Sequence, residues 1–237
     1  MATDVTSISI STSNDYENII SKNERIIYIG QVVYKQPRVY KKPRVEKSSE
    51  NKWKGKWDID YKCSKDIQKK ENGRIYLIVV NNKIYKIGSS ASKGGIKATL
   101  GCYITGLGGS PSIRTMGIPV LIQELLDAGN EIKIYALFND QIQVVTYGLS
   151  SVKEETTYPD VKAMEEACRV DYKNIYGKYP EWNFQENHEK WPAHIKKLYT
   201  EQVNQREKKD NIIDEESSNS ISNSISVIEG EEDDGDT

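Results

Sequence analysis

Histidine and cysteine are scarce in this chain, two and three copies among 237 residues, and their placement excludes several chemistries. Cys63, Cys102 and Cys168 are widely spaced, odd in number and without a C-x-x-C pair, so neither a disulfide framework nor a zinc knuckle is indicated. His188 and His194 stand near the end of the patterned sequence, which argues against histidine-based metal nucleases and Ser-His hydrolases. No run of 18 apolar residues occurs, and the first twenty residues lack the basic and apolar regions of a secretory leader. The expectation is a protein that neither spans a membrane nor is secreted, working in the cytoplasm or host-cell interior, or in the nucleus of a eukaryotic host. Hydrophobic residues make up only 37% and the mean hydropathy is -0.67, so the apolar material must be concentrated; it lies mainly between Ile75 and Tyr176.

Lys and Arg are absent from Asp210 onward, where ten Asp or Glu occur. The net charge of -2 therefore leaves -2 + 10 = +8 on residues 1–209, an excess that suits a polyanionic partner. The tail, with its SSNSISNSIS repeats and EEDDGD end, reads as acidic and disordered. At the other end, residues 1–25 read as a flexible leader and 26–72 as a basic arm. Within that arm, Lys35 to Lys56 holds nine Lys or Arg against two Glu, with prolines at 37 and 43 and the run WKGKW ending at Trp57. Lys41, Lys42, Arg44, Lys52, Lys54 and Lys56 are its candidate phosphate-backbone contacts, joined by Arg114. Trp53 and Trp57 either stack on bases or fold back onto the core.

The organised part spans 73–200, followed by the tail at 201–237. GRIYLIVVNNKIYKIGSS gives two β-rich runs, Arg74 to Val80 and Lys83 to Gly88, around an Asn81-Asn82 turn, a hairpin signal. A short helix is expected from Ile96 to Ile104 and another from Ile118 to Ala128, with Pro119 in its first turn and Gly129 as its stop. Glu131 to Phe138 alternates as a strand, and Gln141 to Leu149 is expected to return beside it. A closing helix is expected in WPAHIKKLY.

Asp160 to Tyr176 reads as a helix with an Asp160 N-cap and a Gly177 stop. At about 100° per residue, Met164, Cys168, Tyr172 and Ile175 fall on one apolar face with Val161. Glu165 falls inside that face, at about 40°, whereas Glu166 lies on the flank at about 140°. A carboxylate on a buried stripe costs several kcal/mol unless paired or metal-bound, so Glu165 requires either a basic neighbour or a cation.

In order, the chain shows RIY (Arg74, Ile75, Tyr76), YKIG (Tyr85 to Gly88), a glutamate on a helix, and PEWNFQ (Pro180 to Gln185). This order resembles the GIY-YIG nuclease superfamily over about half of the chain, most nearly its T-even phage endonuclease II and restriction-enzyme branches, which share a segment similar to LIQELLDAGNEIKIYA and a closing P-x-W-N. The resemblance implies an α+β fold, a small three-stranded antiparallel sheet flanked by helices, and a Mg²⁺- or Mn²⁺-dependent DNA endonuclease of viral or restriction type acting on double-stranded DNA. Carried over by position, Tyr76 matches the first motif's tyrosine, Gly88 the second motif's glycine, Glu165 the metal-binding glutamate and Asn183 the late asparagine. Arg74 replaces the first motif's glycine. Lys86 stands where the second motif has tyrosine, with Tyr85 beside it as the rival. No arginine occupies the expected helix position; Lys97 stands near it, and Arg114 is the alternative cation. A two-residue turn would put Tyr76 and Tyr85 on one face, a three-residue turn Tyr76 and Lys86. The implied catalysis has the metal on Glu165, a cation on the phosphate, and a water deprotonated by Tyr76. A free phenol is only about 0.3% ionised at pH 7.5, so that last step needs a cation nearby.

Overall fold

The computed structural model describes residues 14–35, 56–105, 112–138, 140–147, 149–150, 153–158 and 160–204. Of the basic arm's candidate contacts, Lys41, Lys42, Arg44, Lys52 and Lys54 lie outside those residues, as do residues 1–13 of the leader and the tail from 205. The chain divides into two units, Met1–Lys190 and Trp191–Thr237.

In the first unit the elements run α1 (Asp15–Asn18), a 3-10 turn (Ile20–Lys22), β1 (Ile26–Tyr34), β2 (Trp57–Tyr61), α2 (Lys65–Lys69), β3 (Arg74–Val80), β4 (Lys83–Ser90), α3 (Gly95–Thr105), α4 (Ile113–Asp127), β5 (Ile132–Phe138), β6 (Ile142–Tyr147), β7 (Lys153–Tyr158) and α5 (Val161–Tyr176). The main sheet has five strands in the order β2-β1-β5-β3-β4, every pair antiparallel. The α+β class holds, but the expected three-stranded sheet is the β5-β3-β4 half of a larger one. The two added strands come from the stretch before Gly73: Ile26 to Val33 already reads as a short strand and becomes β1, whereas the basic residues just ahead of Trp57 mask the pattern of β2. Trp57 belongs to β2, is 1% exposed, and donates its indole N–H to the Pro119 carbonyl at 3.2 Å. It folds into the core rather than standing free for a base.

All seven residues of β3 are buried, as expected of a central strand covered on both faces. Ile75, Leu77 and Val79 point to one face, where with Ile84, Ile87 and Tyr135 they pack on Met164 and Tyr172 of α5. Tyr76 points to the other, where it meets Tyr103 of α3. By register Trp57 shares that second face, so its bond to α4 places both α3 and α4 there.

Three further expectations change. Gln141 to Leu149 does not return beside β5; β6 pairs with β7 in a separate two-stranded sheet. Helix α4 begins at Ile113 on a Ser112 cap, so Pro119 lies inside it. Ile175 is 57% exposed, and Tyr176 packs on the core in its place; Ile175 sits on the wall of a cavity of about 390 Å³ beside α5. The caps of α5 are as expected, Asp160 accepting from the Lys162 and Ala163 amides at 2.7 and 2.8 Å and Gly177 in the left-handed region at φ 76°. In the second unit, residues 193–204 are helical, in line with the expected closing helix.

Among the described residues, no helix is long and apolar enough to cross a membrane.

Candidate active site

The β3–β4 hairpin places the first residues of the site. Asn81 and Asn82 both take positive φ, 45° and 67°, giving the tight two-residue turn that Asn tolerates. That turn alone would bring Tyr85 onto the Tyr76 face. The register, however, slips between Ile78 and Val79: Val79 pairs with Ile84, while Ile78 pairs with Lys86. Tyr85 is the extra residue of a β-bulge, and the bulge restores Lys86 to the face of Tyr76. Tyr85 instead meets Trp182 edge-on, ring centroids 5.2 Å apart, while its carbonyl accepts the Trp182 amide at 2.7 Å.

Tyr76 lies directly across from Gly88. A Cβ at Gly88 would stand 2.4 Å from the Tyr76 Cζ and Oη, so only glycine leaves room for the ring. The hydroxyls of Tyr76 and Tyr103 are 2.7 Å apart and both rings are buried. Burial, then Tyr103, then Glu165 drive the Tyr76 phenol well above its ordinary proton affinity; Arg114 pulls the other way. Lys86 is itself 4% exposed, and its ammonium is pushed down to about 8, first by burial and then by Arg114, against the opposing pull of Glu165 and Glu186.

Because β4 is the edge strand, α5 reaches round to the same site. Glu165 accepts a hydrogen bond from the Ser89 hydroxyl through Oε2, and its side chain is 17% exposed. Its charge acts on Tyr76, Tyr103 and Lys86. Arg169 approaches the other oxygen, Oε1, only to 3.8 Å, and makes its close ion pairs with Glu166 and Glu186. Arg114, in the first turn of α4, donates to the Gln185 side chain at 2.7 Å.

Asn183 is 2% exposed and acts as a short substitute strand: its Oδ1 accepts the Ile87 amide at 3.0 Å and its Nδ2 donates to the Ile87 carbonyl at 3.2 Å. It thereby holds the backbone between Lys86 and Gly88.

Two sequence candidates stand apart. Lys97 is exposed on α3. Lys56 contributes its backbone, its amide donating to Gln123 at 2.8 Å. Arg74 is fully buried and bonds the carbonyls of Glu71, Asn72 and Ser92, tying down both ends of the hairpin rather than facing the site.

Tyr103, Ser89, Arg169 and Glu186 were missed. Tyr103 follows Ile96 and Leu100 at helical spacing, and Arg169 stands four residues after Glu165, so both carried a readable signal. The contacts of Ser89 and Glu186 depend on tertiary placement.

Among the described residues, no group of three His, Cys, Asp or Glu side chains forms a ready metal cage. A hard cation that keeps waters and binds phosphate oxygens needs only one or two carboxylates. Glu165 fits that demand, since among the described residues its Oε1 has no partner nearer than Arg169 at 3.8 Å.

No family model matches the chain, and no curated protein matches its sequence. Among solved structures it is similar to restriction endonuclease HPY188I in complex with product DNA, at 21% identity and a TM-score of 0.37, over 69% of this chain and 82% of that one. It is also similar to a mutant of bacteriophage T4 EndoII, at 17% identity and a TM-score of 0.32, over 46% of this chain and 70% of that one.

Proposed function

We propose that this chain is a divalent-metal-dependent DNA endonuclease of viral or restriction type that hydrolyses a phosphodiester bond at the Glu165–Lys86–Tyr76 cluster. One observation supports it above the rest: a buried lysine and a buried tyrosine pair lie within electrostatic reach of one helix carboxylate, Glu165, and of Arg114. Cleavage of a phosphodiester needs an in-line nucleophile, neutralisation of the negative charge on the phosphoryl oxygens and a stabilised leaving oxygen.

Glu165 would hold Mg²⁺ or Mn²⁺, which when bound supplies positive charge to the phosphoryl and leaving oxygens. Arg114, exposed at the start of α4, is placed to meet another phosphate oxygen. The burial that raises the Tyr76 phenol makes it a poor base, so we assign proton removal to Lys86, whose amine is partly neutral near pH 8. Water oxygen attacks phosphorus, its proton passes to Lys86 Nζ, and the P–O bond to the leaving alkoxide breaks, the alkoxide being reprotonated from solvent. Tyr76 and Tyr103 stay neutral, and their paired hydroxyls would orient the water. Ser89 fixes the Glu165 rotamer and Asn183 the β4 backbone.

A plasmid assay tests this reading. Nicking of supercoiled DNA that requires Mg²⁺ and is lost in Glu165→Ala supports it. Salt-sensitive DNA binding with no cleavage products under any divalent ion overturns it in favour of a binding module without turnover.

A further inference from the structure

Next to the cluster lies a second, polar groove of about 700 Å³, within the roughly 300–1,000 Å³ range of sites that enclose a small ligand. Its walls are the turn before β3, the chain leaving β4, one strand each of the β6–β7 hairpin, and the first turn of α5. Two covalent links fix its place relative to the cluster. Ala91 follows Ser89, which holds Glu165, by two residues, and Val161 precedes Glu165 by one helical turn, about 5.4 Å of rise. Successive nucleotides of one strand advance about 3.4 Å along a duplex. A strand whose scissile phosphate rests at Glu165 and which runs along α5 toward Val161 has its next one or two nucleotides beside this groove.

The lining is built from amides and hydroxyls rather than from charge of one sign. Asn72, Gln141, Gln143 and Thr157 line it, and its two lysines, Lys93 and Lys162, are matched in number by two carboxylates, Glu71 and Asp160. Asp160 is committed to capping α5, and Gln141 accepts the Gly73 amide at 2.7 Å. Gln143 donates to the Thr157 hydroxyl at 2.9 Å, which orients its amide and leaves its carbonyl oxygen and second N–H for a ligand. An electroneutral groove is a poor track for phosphates. An oriented amide suits a base edge, since Gln and Asn pair in bidentate fashion with adenine. Lys93 and Lys162 are exposed and have no ion pair among the described residues, so they suit the backbone at the rim.

We infer that this groove reads the base one or two nucleotides from the cut, with Gln143 and Asn72 as specificity-determining residues and Lys93 and Lys162 as backbone contacts. The inference rests on the nuclease reading, but its test does not use cleavage. The full chain is equilibrated in EDTA with a duplex pool of randomised sequence, and bound DNA is sequenced over successive rounds. The wild type is expected to enrich a base at one or two positions, and Gln143→Ala to flatten that enrichment roughly tenfold at one of them without altering the rest. Thr157→Val, which frees the Gln143 amide with little change of volume, should weaken the same position. Lys93→Ala with Lys162→Ala should lower affinity evenly over all sequences and reduce the salt slope by about 1 to 2. Unaltered enrichment in both Gln143→Ala and Thr157→Val, or no enrichment by the wild type, overturns the inference. Loss of plasmid nicking alone speaks against the nuclease reading and leaves this binding result standing.

Discussion

The two faces of the β3–β4 hairpin differ in kind although they share one backbone. On the α5 face, Ile75, Leu77, Val79, Ile84 and Ile87 form an apolar layer. On the α3 face, Tyr76, Lys86 and Gly88 are just as closed to solvent, yet two of the three carry ionisable groups. One bulged residue separates the two outcomes: without the extra residue at Tyr85, Lys86 would turn toward the α5 layer and Tyr85 would take its place beside Tyr76. A buried hairpin can thus serve as core on one side and reactive surface on the other, provided something holds the bulge. Trp182 and Asn183, bonded to Tyr85 and Ile87, do so. Asp15 extends the same protection to the edge strand by accepting the Ile84 amide at 2.7 Å.

The sharpest way to break this contrast is at Lys86. Lys86→Met keeps length and volume and removes the charge, so Mg²⁺-dependent nicking should fall by about 10² to 10⁴, the scale of a lost acid–base group. Stability should move the opposite way. The Lys86 ammonium is lowered from its ordinary value of 10.5 to about 8 in the fold, so the charged form destabilises the native state. That difference amounts to about 3 kcal/mol below pH 8 and vanishes as pH rises toward 10.5, where the unfolded chain also loses the proton. Thermal melting at pH 7 and at pH 10 checks the sign: the variant should gain at pH 7 and show little difference at pH 10. Glu165→Ala has no comparable stability effect to offer, but should cost about 10² to 10³ in rate with the fold retained by circular dichroism.

Asn183→Ala removes both bonds to the buried Ile87 backbone and should destabilise by about 1 to 3 kcal/mol per unsatisfied group, read as a fall in the chemical denaturation midpoint. Asn183→Asp keeps the acceptor and should recover part of it. The smallest effect is expected of Tyr103→Phe, which leaves Tyr76 in its packed position but without its hydroxyl partner; the cost should be about 0.5 to 1.5 kcal/mol.

Much of this contrast could be read from residues, and the unread part has a common cause. The hairpin, the α5 caps and the placement of Glu165 follow from local patterns: turn asparagines, an Asp cap, a carboxylate on an apolar stripe. The bulge does not, because Tyr85 and Lys86 suit a strand equally well and only the Trp182 and Asn183 contacts, almost a hundred residues away, select between them. β7 was missed because KEETTY carries three charges in six residues, which is compatible with a strand only in an exposed hairpin. The early start of α4 was hidden by Pro119, whose missing donor is tolerated inside the helix while its own carbonyl takes the Trp57 indole. The proposed choice of Lys86 over Tyr76 as base rests on burial, which sequence places only by strand alternation: it makes the phenol of Tyr76 harder to ionise and the amine of Lys86 easier to neutralise.

The most direct test is the pH dependence of kcat/KM for Mg²⁺-dependent plasmid nicking. With Lys86 as base, the rate should climb tenfold per pH unit at low pH and level off near pH 8, and the plateau should disappear in Lys86→Met. A rate that continues to climb past pH 10, or one whose profile is unchanged in Lys86→Met, would contradict the account.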